Sequence, residues 1–381
     1  MRHYDTIIIG GGPAGNAAAY QLSNAGQQVL ILEKTAFPRM KACAGMLTMK
    51  ALHRLPYSIA PIIQYKSSDM TVGYYLKKSH EIKGKNPLVV TTIRSELDEF
   101  CLNKAIESGS EFEIISGLKS LSEANELVEL ETKCGQSFTA KFLIGADGAH
   151  SQVRQLSNCF SPAKAGVALE GIVPYEASSA KVRVQFDFGV AKNGYGWLIP
   201  KKDHFNVGLY ARQPHKKSAC KQALRDYAMH HLGTSDVKDI VGHPLATNGD
   251  YYQHKMKRIF LVGDAAGYAE PLLGEGIHNA IASGQTAAKA IIENLQTGKD
   301  ASEIYHKESK ELMADLVFCR QASRGFYKIL PLSYQLLRRY PVGPVFINGY
   351  AGGLNALRSA QLLKKFKTSC DYSQPLSLSD V

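Results

Sequence analysis

The stretch TIIIGGGPAG, residues 6–15, decides the fold. Its β-branched half reads as a strand and residues 13–26 have helical character, so Gly10-x-Gly12-x-x-Gly15 falls at the turn between them. Gly10 permits the tight turn, Gly12 lets the backbone approach a pyrophosphate, and Gly15 lets the helix pack closely on the strand. Pro13 and Ala14 sit in the first helical turn, where free N–H groups meet an anion. A second strand, Val29–Glu33, completes a βαβ opening. Glu33 stands about where a carboxylate meets a ribose hydroxyl pair, with Lys34 beside it, and an acid there disfavours a phosphate on the ribose. These residues suit the adenosine half of FAD or NAD.

Working outward, strands are expected at 70–76, 88–93, 112–115, 127–131 and 138–144, and Ser95 with Asp98 reads as a capping box for a helix through Ile106. A β-rich block follows at 167–173, 182–188, 195–200 and 206–210, without a nucleotide signature of its own. The chain then returns to a strand at 259–262, a helix at about 277–295, another capped by Asp300, and helical segments broken at Pro331, Pro341 and Pro344. The expected fold class is α/β: a Rossmann-like FAD-binding domain interleaved with a β-sheet substrate domain, plus a helical C-terminal region. The first comprises 1–65, 93–165 and 250–300, the second 66–92 and 166–249, the third 301–381.

With 381 residues, 45% hydrophobic and 21% charged, the chain is long enough for two globular domains sharing a sizeable core. No run of about eighteen uncharged apolar residues is present, and the start MRHYD leads into glycines rather than a signal-peptide core, so a cytoplasmic protein is expected. Seven scattered cysteines, with no C-x-x-C pair and no histidine at metal-site spacing, argue against disulfides and against a metal site. The net charge of +11 is concentrated in residues 317–367, where Arg320, Arg324, Lys328, Arg338, Arg339, Arg358, Lys364, Lys365 and Lys367 occur without a single acid. Such a patch attracts anionic lipid headgroups, nucleic acid or an acidic redox partner.

Two later segments choose between the cofactors. Gly145-Ala146-Asp147-Gly148 and Val262-Gly263-Asp264-Ala265-Ala266 are each a strand end followed by small residues and one carboxylate, a shape that lets a backbone approach a ligand while the acid accepts hydroxyl hydrogen bonds. Together, in this order, they resemble the superfamily of class A flavoprotein hydroxylases and prenyl reductases. The resemblance runs from the N-terminus to about Leu295 and implies FAD, with Asp264 on the ribityl chain, Asp147 beside the flavin and the reductant's route, and Arg94 contacting the cofactor. Gly274, Gly276 and Ile277 open a helix whose free amides can stabilise the negative charge of reduced flavin. Glu275 reads as a helix-start acid and His278 as a packing residue.

Three features resemble the geranylgeranyl reductases more narrowly. Lys41-Ala42-Cys43-Ala44-Gly45 is similar to their Lys-x-Cys-Gly-Gly segment, with alanine for the first glycine of that pair. Tyr195-x-Trp197-x-Ile199-Pro200 is similar to their Tyr-x-Trp-x-Phe-Pro lipid-pocket motif, with isoleucine for phenylalanine and Lys192 where the fuller motif begins with proline. Gly274-Glu275-Gly276-Ile277 also matches. Tyr195 and Trp197 share one face of a strand by its period of two, so both rings can line one cavity or fill one sheet core. An isolated prenyl double bond is not polarised, so a hydride must be accompanied by a proton; Cys43 and Lys41 are the catalytic candidates, and Cys43 and Ala44 also fall at the cofactor. Leu330, Tyr334 and Leu337, followed by Leu354 and Leu357, form apolar stripes that read either as a lipid-facing surface or as core packing.

The resemblance implies an FAD-dependent oxidoreductase that reduces C=C bonds of an isoprenoid or prenylated lipid. A flavin-dependent aromatic monooxygenase or halogenase is the alternative, and a flavin-binding protein without turnover a third reading. The external reductant stays open among NADPH, NADH and ferredoxin. A small apolar substrate is expected as the partner, with peripheral contact at the inner face of a membrane through the basic C-terminal region, and no nucleic acid.

Overall fold

The computed structural model describes residues 2–84, 86–158, 164–213, 219–247, 249, 256–339, 341–351 and 353–368. Cys159, Cys370, residues 250–255 and the end of the C-terminal region at 369–381 lie outside the described residues.

The strand Arg2–Ile9 lies inside a seven-stranded sheet, parallel to Val29–Glu33 on one side and to Ser137–Gly145 on the other. Glu111–Ile114 extends the sheet in parallel beyond Val29–Glu33. The far edge of Ser137–Gly145 is shared. Its first half pairs with the antiparallel hairpin Leu118–Ala124 and Leu127–Thr132, and its last residues pair in parallel with Ile259–Leu261. The carboxyl ends of five parallel strands therefore meet on one rim, the place where such sheets bind ligands. One face is covered by the helices Pro13–Asn24, Arg94–Glu107 and Ile277–Thr297, whose small and branched residues bury Ala18, Leu22, Ala287 and Ile291 against Phe142 and Phe260. Close packing there depends on glycine: a Cβ at Gly284 would lie 2.1 Å from the Ala14 carbonyl oxygen, and one at Gly15 would lie 1.9 Å from that of Gly10.

A second seven-stranded sheet runs in the order Lys238–Thr247, Lys164–Pro174, His204–Ala211, Gly194–Pro200, Gln185–Phe188, Asp69–Tyr74 and Lys78–Lys83. All its pairings are antiparallel except Gln185–Phe188 with Asp69–Tyr74. The period of two divides the strand Gly194–Pro200 cleanly. Tyr195, Trp197 and Ile199 pack with Val72, Phe188 and Tyr210 on one face, whereas Leu198 packs on the other with Val207 and Leu209, under the helix Lys221–Leu232. A small sheet of Met46–Thr48, Val89–Thr91 and Tyr65–Ser67 joins the two large ones.

Both outer strands of the second sheet escape the sequence pattern. Lys78–Lys83 alternates among polar residues, and Lys238–Thr247 carries Gly242 and Pro244, which are tolerated because this strand is an edge. Five helices, Ala301–Glu308, Lys310–Lys328, Leu330–Leu337, Val342–Ala351 and Ala356–Thr368, complete the described chain. Asp300 caps the first of these, accepting from the Ser302 and Glu303 amides. The expected break at Pro331 is present: one helix ends at Lys328 and the next begins at Leu330, with Pro331 in its first turn, where its missing N–H costs nothing. No helix among the described residues is long and apolar enough to cross a membrane.

Candidate active site

A cavity of about 1500 Å³ runs from the glycine loop to the C-terminal helices. Its volume exceeds the roughly 300–1,000 Å³ of a single small-ligand pocket. At one end it is lined by Gly10, Gly12, Pro13, Ala14, Glu33, Lys34, Arg94, Asp147 and Asp264, with Lys41, Cys43, Ala44, Gly274, Gly276 and Ile277 at the waist. At the other end the wall is apolar and includes Tyr195, Trp197 and Ile199. Of the residues singled out in the sequence, Gly15, Gly263 and Pro200 stand behind this wall. Gly15 packs the helix on Gly10, Gly263 adopts a φ of +54° and donates to Ser283 Oγ at 2.9 Å, and the Pro200 carbonyl accepts from Thr91 Oγ1 at 2.8 Å.

The first end has the features of a dinucleotide cradle. The helix Pro13–Asn24 starts at Gly12 with no side-chain cap, and the helix Ile277–Thr297 starts at Gly276 in the same way, so both leave N–H groups for a ligand. Buried Glu33 closes the glycine loop by accepting from the amides of Gly11 at 3.1 Å and Lys34 at 2.8 Å, and its two oxygens retain lone pairs for hydroxyl donors. Arg39, which sequence reasoning missed, reaches over this loop. Its guanidinium lies 3.5 Å from Glu33 and 3.3 Å from Asp98, and a Cβ at Gly12 would stand 3.7 Å from its Nη2. Asp147 accepts from the amides of Gln152 and Val153 through Oδ2, while its buried Oδ1 has no hydrogen-bond partner among the described residues. Burial pushes the pKa of Asp264 up, opposed by the nearby charges of Lys41 and Arg94. Uncapped amides, an orphaned acceptor and a cation over the glycine turn together fit FAD.

The expected capping box is corrected. The helix Arg94–Glu107 begins ahead of the expected cap Ser95, after Ile93, with no side-chain cap. Asp98 points inward, where it receives Arg94 Nε at 3.1 Å and Arg94 Nη2 at 2.9 and 3.0 Å in a buried bidentate pair. Asp98 belongs instead to an i,i+4 ion pair with Arg94.

The loop carrying Lys41 and Cys43 is fixed from the second sheet. Glu170 accepts from the Cys43 amide at 2.6 Å, and Lys201 donates to the carbonyls of Ala44 at 2.6 Å and Thr92 at 2.7 Å. Lys41 Nζ lies 2.6 Å from His243 Nε2. Burial, followed by the charges of Lys41, Arg94, His150 and Lys34, pushes His243 down to about 4, so its ring is a neutral acceptor for the ammonium at pH 7. Burial also lowers the pKa of Lys41, opposed by Asp264, and brings Lys201 down to about 8. None of Glu170, Lys201 and His243 is marked by any local motif.

The turn before the helix Ile277–Thr297 is held as firmly. Glu275 forms a buried ion pair with Lys50 and accepts from Thr48 Oγ1 at 2.6 Å, so it is an anchor to the small sheet rather than a helix-start acid. His278 is partly buried beside Asn279, and burial draws it down to about 4. The carbonyls of Pro271, Leu272 and Leu273 accept hydroxyl donors from Ser323, Tyr327 and Tyr195 in turn. Tyr195 thus walls the apolar end with its ring and clamps the cofactor-side loop with its hydroxyl. Trp197 donates from Nε1 to Asn206 Oδ1 at 2.7 Å, and its ring lies over Gly208, where a Cβ would come within 2.0 Å of it. No group of His, Cys, Asp or Glu among the described residues could hold a metal ion.

A dinucleotide cradle joined to a largely apolar chamber defines a flavoprotein oxidoreductase, and residues 3–318 match the family described as FAD binding domain. The chain is 31% identical over 329 residues to the chloroplastic geranylgeranyl diphosphate reductase of Arabidopsis thaliana, covering 78% of this chain and 68% of that protein. An uncharacterized protein of Methanosarcina barkeri is 34% identical over 357 residues, 92% of this chain and 91% of its own. The chain belongs to the geranylgeranyl reductase family of FAD-dependent oxidoreductases. Its fold is shared by a geranylgeranyl bacteriochlorophyll reductase-like protein of Thermoplasma acidophilum, with a TM-score of 0.76 at 19% identity and coverage of 96% of this chain and 99% of that one.

Proposed function

We propose that the protein reduces C=C bonds of an isoprenoid or prenylated lipid, with FAD as its cofactor and NADPH, NADH or ferredoxin as the external reductant. One observation carries this reading: the aromatic, apolar limb walled by Tyr195 and Trp197 is continuous with the cofactor cradle, with only the Lys41–Gly45 loop and the Leu272–Ile277 turn at the waist. In this reading residues 1–65, 93–165 and 250–300 form the cofactor-binding domain, 66–92 and 166–249 the substrate domain, and the C-terminal helices from residue 301 onward line the prenyl pocket and contact a membrane surface peripherally.

Bound and reduced, FAD supplies the hydride. The chain's own residues provide the rest. Leu272, Leu273, Phe326 and Ile347 exclude water from the prenyl chain. Lys41 holds a proton at Nζ at the waist, steadied by neutral His243, and Cys43 lies on the same short loop; these are the groups proposed to deliver the proton. The faces of Tyr195 and Trp197 stabilise developing positive charge on the alkene by roughly 0.5–2 kcal/mol, which assists the proton transfer without driving it.

The test is anaerobic. The purified flavoprotein is reduced chemically, geranylgeranyl lipids or diphosphates are added, and flavin reoxidation is followed together with product mass. Reoxidation with a gain of two hydrogens per turnover is expected. Flavin that stays reduced until oxygen enters, with oxygen or halogen then appearing in an aromatic acceptor, overturns the reading in favour of a monooxygenase or halogenase.

A further inference from the structure

Of the two readings the sequence left open for the stripe Leu330, Tyr334 and Leu337, core packing holds: it turns inward. Leu330 and Tyr334 are 6% and 1% exposed and pack against the second sheet, and Leu337 lines the cavity. The opposite side of the same short helix is the exposed one. Leu332 and Leu336, one turn apart, are 56% and 43% exposed, and Ile329 just before the helix is 48% exposed. These are three of the nine large hydrophobic side chains left exposed among the described residues, gathered within eight positions. Ile329 and Leu336 also line the cavity, so the patch is the rim of its mouth.

Exposed cations flank the rim at both ends: Arg324 and Lys328 before it, Arg338 and Arg339 after it. None of these four pairs with a carboxylate among the described residues, and residues 317–367 contain no acid. Apolar side chains at the centre with cations around them match a bilayer whose headgroups are anionic, the apolar groups entering the acyl boundary and the cations meeting phosphates. A second copy of this chain fits poorly, because a two-fold contact would set the same cations against each other.

We infer that the segment 324–339 docks on an anionic lipid bilayer, with the cavity mouth at Ile329 and Leu336 facing the acyl chains, so that a prenyl tail enters without crossing water. The docking rests on the proposed function only for what the mouth admits.

The test uses full-length, FAD-loaded protein and vesicles of phosphatidylcholine with or without one-third phosphatidylglycerol. Flotation with the anionic vesicles is expected, weakening as salt rises. Leu332→Glu is expected to lower the partition coefficient at least tenfold, and Lys328→Ala with Arg339→Ala about fivefold per charge removed. The same variants retain wild-type flavin content and wild-type reoxidation by a detergent-dispersed short isoprenoid diphosphate, and lose rate only on vesicle-borne lipid. Failure of the wild type to float, equal flotation on neutral vesicles, or wild-type flotation of both variants overturns the assignment. Capture by an acidic redox protein in place of vesicles overturns it in favour of a protein partner. Flotation as expected with no reoxidation by any isoprenoid supports the docking face and overturns the reductase reading instead.

Discussion

Asp98→Asn removes one charge from the most deeply buried ion pair at the cofactor end. Asp98 is fully buried and Arg94 is 8% exposed, and the carboxylate accepts all three short hydrogen bonds from that guanidinium as well as facing Arg39 at 3.3 Å. The asparagine keeps the volume but leaves a buried cation with one amide oxygen in place of two charged acceptors. Breaking a buried pair on one side costs about 3–5 kcal/mol, more than the pair adds when intact, because the remaining charge is uncompensated. At an unfolding entropy of about 2.1 cal/mol/K per residue, a loss of that size lowers Tm by roughly 4–6 °C in a chain of 381 residues. The assay is thermal unfolding of the FAD-loaded protein followed by circular dichroism, with Arg94→Met and the double variant completing a cycle. Removing both charges relieves the uncompensated cation, so the double variant is expected to lose about 1–3 kcal/mol less than the two single losses combined. A Tm within 1 °C of wild type for Asp98→Asn, or strict additivity in the cycle, refutes the reasoning.

Gly284→Ala pushes a methyl group to 2.1 Å from the Ala14 carbonyl oxygen, and the helices Pro13–Asn24 and Ile277–Thr297 must part; a loss of about 1–3 kcal/mol with weakened FAD retention is expected, read by melting and flavin content. Gly208→Ala intrudes on the Trp197 ring at 2.0 Å, so KM for the lipid is expected to rise about tenfold with FAD content unchanged, alongside a shifted emission from this single tryptophan. Glu170→Ala frees the Cys43 amide and is expected to slow flavin reoxidation about tenfold, whereas Glu170→Gln, whose amide oxygen still accepts, keeps most of the rate; equal losses in the two variants count against the loop-fixing role. His243 and His278 are both held down to about 4 by burial, against about 6.5 in the unfolded chain. Between these values the unfolded state binds more protons, so their contribution is complete above about pH 6.5 and is lost as pH falls toward 4; a flat Tm between pH 7 and 4.5 contradicts it.

What was legible in the sequence was local. The glycine loop, Glu33 and the two later Asp turns each sit within one strand end and the residues after it, and the period-two reading of Tyr195 and Trp197 needed only one strand. Spacing alone misled where two local devices share it. Ser95 and Asp98 fit a capping box, but Asp98 is also four residues from Arg94, and a desolvated guanidinium outbids the free helix-start amides for the carboxylate. The C-terminal stripe was ambiguous rather than misleading, since Leu330 and Tyr334 satisfy a helical period whether they face lipid or core, and only the neighbouring sheet decides for the core. His243 was invisible because its strand carries glycine and proline and is polar enough to pass for a loop. Arg39 had no pattern around it at all.

The least legible part of the site is also what makes it specific. Lys41, Cys43 and Ala44 lie on a loop that leaves the first sheet, yet their positions are set by His243, Glu170 and Lys201, which project from two edge-side strands of the second sheet and the end of a third strand more than 120 residues away in sequence. Thr92 closes the arrangement, its amide and hydroxyl both donating to the Gly45 carbonyl while its own carbonyl receives Lys201. A loop held only from the cofactor side would follow the cofactor. Held from the second sheet, the loop stays in register with the aromatic wall, because Glu170, Tyr195 and Trp197 belong to that hydrogen-bonded sheet and Lys201 directly follows its strand Gly194–Pro200. In the proposed reaction the sheet would act as a ruler between the Lys41–Cys43 loop and the bound chain, because the buried polar groups that hold the loop are paired with one another rather than left to recruit water.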